Sequence, residues 1–203
     1  MITIIDYGIG NLRSIERAFL HVRPDVVRTD DPDLIRAADH LVLPGVGAFG
    51  ACIQEVRQRG LEQPIMESVA RQVPFIGICV GMQMLFESSS EQGVHTGLGL
   101  LKGSIKELRP SDPTLKIPHM GWNVVSPVKH NSLLSGLTAD ARCYFAHSFY
   151  ASDVSPDNVV AVTDYGHPVP AVVAHNNVYG VQFHPEKSHD VGLRILANFA
   201  TLA

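Results

Sequence analysis

Cysteine is scarce in this chain. Only Cys52, Cys79 and Cys143 occur, and no two of them form a C-x-x-C pair. An odd, widely spaced set excludes a disulfide framework and points to a reducing compartment, so a cytoplasmic location is expected. No apolar run approaches the roughly 18 residues that a membrane span requires. The start, Met1 to Asp6, has no basic segment, and its apolar run is broken at Asp6, so it reads as a first strand rather than a signal peptide. Basic residues are not in excess: 16 Lys and Arg stand against 20 Asp and Glu, with no basic stripe, which argues against nucleic acid as a partner. H-E-x-x-H is missing, and so is the P-C-x-x-C that a deaminase-type H-x-E would need, so no metal site is expected. Gly8 and Gly10 begin a G-x-G-x-x-G but do not complete it, which leaves a tight turn rather than a dinucleotide cradle. Repeats, low-complexity tracts and linkers are absent as well. What remains, 45% hydrophobic and 18% charged, is the composition of an ordinary globular protein, expected to form one domain over residues 1–203 without a cofactor.

The chain is organised around Val73–Leu85. The apolar run Phe75–Ile78 leads to Cys79, with Gly77 two residues before it and Gly81 two after, and a helix-forming segment follows at once. This is the G-x-nucleophile-x-G elbow with a cysteine in the nucleophile's place. A strand turning sharply into a helix strains the central residue, and glycines at the flanks let the two elements approach. A helix N-terminus behind the sulfur would favour a thiolate. A buried structural cysteine beside packing glycines fits the same pattern.

Before the elbow, short apolar runs alternate with amphipathic ones. Ile2–Ile5, Val26–Arg28 and His40–Leu43 read as strands. Leu12, Ile15, Phe19 and Val22 lie on one helix face, and Asp31-Pro32 is a helix start. Ala51–Arg59 and Leu61–Gln72 are helical. The order predicts an α/β fold with a doubly wound, mainly parallel sheet, whose ligands sit beyond the carboxyl ends of the strands. Gly45, Val46 and Gly47 follow the third strand there, on a backbone able to turn N–H groups toward an anion. An ordinary strand-to-helix loop is the plainer use of that segment. Beyond Ser88 the texture turns to loops and strands, with Arg142–Ala151 as one long strand and a two-residue hairpin at Asn176-Asn177. Antiparallel strands and a final helix over Asp190–Leu202 are expected to complete the sheet.

The last hairpin strand delivers His184-Pro185-Glu186. A cysteine nucleophile needs a base, and the base needs an orienting acceptor. His184 suits the first role and Glu186 the second, if the turn at Pro185 folds the carboxylate back.

Pro44–Gly47, Gly77–Gln83 and His184–Glu186 together resemble the class I (triad) glutamine amidotransferases. Asp6–Leu12, His119–Asn123 and Tyr144–Tyr150 resemble, within that family, the glutaminase subunits of imidazole glycerol phosphate synthase. The likeness runs in order through nearly the whole chain. It implies hydrolysis of glutamine to glutamate and ammonia through a thioester on Cys79, with His184 as base and acid and Glu186 as its orienter. It implies oxyanion donors around Gly45, Val46 and Val80, and glutamine contacts at Gly47, Gln83, Glu91, Ser148 and Phe149. It further implies a heterodimer with a (β/α)8-barrel subunit of histidine biosynthesis, docked through Asn11, Trp122 and Lys187. On residues alone, Trp122 in its loop region could equally be core and Lys187 a solvated charge. The glutaminase of pyridoxal phosphate synthesis shares the triad, but the Asp6–Leu12 and His119–Asn123 segments disfavour it. A catalytically silent regulatory relative is disfavoured by the intact triad.

Overall fold

Short β-branched runs buried on both faces make the central layer. The computed structural model of the chain describes residues 1–202. It begins with strand β1 (Ile2–Ile5), helix α1 (Leu12–Val22), β2 (Val26–Thr29), α2 (Pro32–Arg36), β3 (His40–Leu43), helices α3 (Phe49–Gln58) and α4 (Glu62–Ala70), and β4 (Phe75–Ile78). Every residue of β1, β3 and β4 is buried, as continuous apolar runs in a covered parallel sheet require. Helix α2 starts as its sequence dictates: the Asp33 N–H donates to the Asp31 carboxylate at 2.9 Å, and Pro32 occupies the first turn.

The second half runs through α5 (Val80–Gln83), β5 (Phe86–Ser89), β6 (His95–Thr96), β7 (Leu101–Glu107), β8 (His119–Val124), β9 (Ser126–Pro127), β10 (Arg142–His147), β11 (Phe149–Ser152), β12 (Val159–Asp164), β13 (Pro168–His175), β14 (Val178–Val181) and α6 (His189–Phe199). The main sheet has the order β2-β1-β3-β4-β14-β13-β12-β9. Its first five strands are mutually parallel, and β13, β12 and β9 extend it antiparallel. The hairpin between β13 and β14 turns at Asn176-Asn177, with Asn176 at φ +51°. The core lies on both faces of this sheet, with Phe19, Phe49, Phe183 and Phe199 among its fully buried side chains.

Three expectations need correction. The helix after the elbow is a single turn, because the carbonyls that would continue it are taken: Met84 C=O accepts from the Leu98 N–H, and Leu85 C=O from those of Leu100 and Leu101. The chain enters β5 instead, in a separate four-stranded sheet of order β11-β7-β5-β6. The stretch Arg142–Ala151 is not one strand. It breaks at Ser148, so that β10 pairs with β8 and β11 with β7. Trp122 lies not in a loop but on β8, directly across from Tyr144.

Candidate active site

Three neighbouring parallel strands end side by side and build the site. Leu43 of β3 is level with Gly77 of β4, and Ile78 of β4 with Val181 of β14. The residues leaving these strands therefore converge: Pro44–Gly47 from β3, Cys79 from β4 and Gln182–His184 from β14. The Cys79 N–H extends the ladder by donating to Val181 C=O at 2.8 Å. At Cys79 the backbone then takes φ +56° and ψ −112°, a strained conformation for a side chain with a Cβ, and lifts the sulfur off the sheet.

The strain is held by backbone packed on backbone. A Cβ on Gly81 would lie 1.9 Å from Leu43 C=O, one on Gly77 2.4 Å from the Gly81 oxygen, and one on Gly45 2.5 Å from the Gly81 nitrogen. Gly45 is thus wedged against the elbow rather than exposed to a ligand. The two carbonyls flanking the Gly45–Val46 peptide are both tethered. The buried Tyr7 hydroxyl donates to Pro44 C=O at 2.6 Å, and the Cys52 thiol donates to Val46 C=O at 3.3 Å. Neither tether is legible in the sequence. Burial raises the Tyr7 and Cys52 pKa values, and it pushes the thiol of Cys143 up to about 12, which leaves both of these cysteines as packing groups rather than nucleophiles.

His184 Nδ1–H donates to Glu186 Oε1 at 2.9 Å, so the turn at Pro185 does fold the carboxylate back. The Glu186 side chain is fully buried, and its second oxygen has no hydrogen-bond partner among the described residues. Burial lowers the His184 pKa, but the adjoining Cys79 and Glu186 outweigh it and raise the imidazole to about 10. Its backbone is fixed from two sides: the His184 N–H donates to Tyr144 C=O at 2.8 Å, and its carbonyl accepts from Ser188 Oγ–H at 2.6 Å.

Cys79 and His184 open on a cleft of about 370 Å³. Val46, Gly47, Val80, Gln83, Ser148 and Phe149 form its wall together with Glu91. The break at Ser148 is what brings the last pair there. One Glu91 oxygen is already engaged, accepting the Phe49 N–H at 2.7 Å at the start of α3. Sequence reading missed Pro118, Met120, Ala146 and His147, which complete the cleft, and Gln182, whose amide donates to Cys79 Sγ at 3.9 Å. Gln182 precedes His184 by two in the extended segment that leaves β14, so its period-two position was the available signal.

The remaining predicted residues lie outside the cleft or on its rim. Trp122 is 44% exposed and lies flat on the His189 ring, with centroids 5.0 Å apart. Lys187 is exposed at the rim, its Nζ 5.6 Å from the centre of the Tyr144 ring. Asn11 caps the backbone of α1, the helix that packs near the Pro185–Lys187 turn.

The family model described as glutamine amidotransferase class-I matches residues 3–202. Among curated proteins, the imidazole glycerol phosphate synthase subunit HisH of Salinibacter ruber is 54% identical over 206 residues, covering all of this chain and 94% of that protein. The subunit of the same name from Caulobacter vibrioides is 47% identical, covering 98% of this chain and 96% of its own. Among solved structures, PurLQS from Thermotoga maritima superposes with a TM-score of 0.74 at 19% identity, covering 98% of this chain and 96% of that one. A structure described as a glutamine amidotransferase gives the same score at 17% identity over 99% of both chains. These two likenesses concern the fold.

Proposed function

This chain belongs to the class-I glutamine amidotransferases, among the HisH subunits of imidazole glycerol phosphate synthase, and we propose that Cys79, His184 and Glu186 carry its glutaminase chemistry. The observation that supports this most is the convergence of a strained, cleft-facing cysteine with a carboxylate-bound histidine on adjacent strand ends. With the thiol proton already on His184, whose imidazole the adjoining sulfur and carboxylate keep protonated, Cys79 Sγ attacks the side-chain carbonyl carbon of glutamine. The oxyanion faces the N–H groups of Val80 and Val46. When the tetrahedral intermediate collapses, the C–N bond breaks, His184 returns the proton to the leaving nitrogen, and ammonia departs from a thioester. Water, deprotonated by His184, then attacks the thioester and releases glutamate and the thiol. Glu186 holds the Nδ1–H and steadies the imidazolium formed in both halves. Gly47, Gln83, Glu91, Ser148 and Phe149 seat the amino-acid end.

The ammonia passes to a partner subunit built as a (β/α)8 barrel, which makes imidazole glycerol phosphate and an aminoimidazole carboxamide ribotide in the cytoplasm. The test is ammonia release from glutamine by the purified chain, alone and with a barrel cyclase. Turnover that rises on adding the cyclase is expected. No release in either condition would favour a silent regulatory subunit, and a response only to a pyridoxal phosphate synthase would overturn the assignment of the partner.

Docking falls to the rim of the cleft. Trp122 stacked on His189 and Lys187 over Tyr144 form an aromatic and cationic patch. Asn11 extends it along α1. Trp122→Ala is expected to weaken binding of the cyclase by about 2 kcal/mol, a typical loss for an aromatic anchor, or some 30-fold in Kd. Titration calorimetry reads this directly, and an unchanged Kd would remove Trp122 from the interface.

A further inference from the structure

A line of buried side chains runs inward from β8 to the nucleophile. Asn123 Nδ2 donates to Asp164 C=O at 2.8 Å and contacts His119 Nε2 at 3.3 Å. His119 Nδ1 lies 3.0 Å from His147 Nε2, and His147 Nδ1 lies 2.8 Å from Phe149 C=O. The same carbonyl accepts from Gln83 Nε2 at 3.0 Å, which also donates to Gln182 Oε1 at 3.1 Å. Gln182 Nε2 in turn reaches Cys79 Sγ. His119 and His147 are a directly opposed cross-strand pair, 3% and 5% exposed.

The donors and acceptors along this line admit one arrangement. Phe149 C=O can only accept, so His147 carries its proton on Nδ1 and presents a bare Nε2. His119 must then donate from Nδ1, and its own bare Nε2 receives an Asn123 proton. Both amide protons of Asn123 and both of Gln83 are thereby used. A second proton on His147 would face the His119 N–H, donor against donor. Desolvation agrees with this: it lowers His119 to about 4 and His147, which the neighbouring His119 and His184 also depress, to about 3. His119 is further clamped flat between Phe145 and Tyr165, with centroids at 4.6 and 4.0 Å.

We propose that His119 and His147 are positioning residues for glutamine hydrolysis: two neutral imidazoles that fix the Phe149 carbonyl and, through the Gln83 and Gln182 amides, the seat of glutamine beside the Cys79 sulfur. This rests on the glutaminase reading above. The line starts beneath the proposed docking face, because Met120 and Trp122 leave the same strand on its opposite side, 64% and 44% exposed.

Two measurements test it. Nitrogen NMR of the imidazoles should show His119 and His147 both protonated on Nδ1 only, and neutral from pH 5.5 to 8. An Nε2–H form of either ring, or titration within that range, overturns the relay. Second, His119→Phe keeps the stack between Phe145 and Tyr165 but removes the donor, and should raise the KM for glutamine about three- to tenfold, the scale of one lost buried hydrogen bond. It should lower kcat less. His119→Asn restores a donor near the Nδ1 position and should bring KM back within about twofold of the parent. A folded His119→Phe protein with the parent KM, or a His119→Asn protein no better than it, overturns the proposal. If the parent protein releases no ammonia at all, the glutaminase reading fails, while the NMR result still decides the relay.

Discussion

Cys79→Ala is expected to abolish glutamine hydrolysis, lowering turnover by at least about 10⁴-fold, as removal of a covalent nucleophile does when the rest of its constellation cannot act alone. The fold should survive. Alanine inherits the same positive φ as cysteine, so the elbow's strain is unchanged, and only one sulfur leaves a site that already opens on a cleft. A synthase given free ammonia should therefore work normally beside the variant, because only ammonia production is lost. The variant also separates the two influences on His184. Burial opposes its protonated form, whereas Cys79 and Glu186 favour it, and the net effect is a raised pKa. A raised histidine contributes stability that is fully present below its unfolded value near 6.5 and is lost as pH rises toward about 10. Without the sulfur only Glu186 still favours the protonated imidazole, so the His184 pKa of the variant should lie below the parent's, which nitrogen NMR of the imidazole reads directly. Near-normal ammonia release by the variant would remove Cys79 from the chemistry.

The same residues show which parts of the molecule a linear reading reaches. The elbow and His184–Glu186 are local patterns: a few consecutive residues carry both the turn and the chemistry, so they stand out in the sequence. The parallel order of β1 to β4 follows from buried β-branched runs alternating with helical ones. What escaped depends on partners remote in sequence. Helix α5 stops after one turn because the amides of Leu98, Leu100 and Leu101 claim the Met84 and Leu85 carbonyls that would continue it. Trp122 is placed by pairing with Tyr144, and nothing in His119–Asn123 announces that strand. Gln182, His119 and His147 gain their meaning only when β14 and β10 bring them to Cys79 and Phe149. Tyr7 and Cys52 reach the Pro44–Val46 segment from two other elements. Polar residues on strands offer no periodic signal beyond inside or outside, and their hydrogen bonds are set by register.

Gly81→Ala should be strongly destabilising. Its new Cβ would fall 1.9 Å from Leu43 C=O and 2.9 Å from the Leu43 carbonyl carbon. The obstacle is main chain in the centre of the sheet, which no rotamer change relieves. Either β3 separates from the elbow or the Cys79 turn rotates, and an overpacked core typically loses 1–3 kcal/mol, with backbone collisions at or above the upper end. We expect about 3 kcal/mol, which for a protein of this size lowers Tm by roughly 6–12 °C. A comparison isolates the cause. Gly60, between α3 and α4, has φ +69° and nothing within 4 Å of the place an added methyl group would take, so Gly60→Ala bears only the left-handed backbone strain of about 1–2 kcal/mol. Activity should separate the two further. A shift of the elbow by even 1 Å relative to Val46 displaces the sulfur from the proposed oxyanion donor there, and misplacement on that scale costs on the order of 10²-fold in rate. The residual folded fraction of Gly81→Ala should therefore turn over glutamine far more slowly than Gly60→Ala at equal folded concentration. A Gly81→Ala protein melting within 2 °C or so of the parent would show that β3 and the elbow do not touch through their backbones, and the account of why glycine stands at 45, 77 and 81 would fall with it.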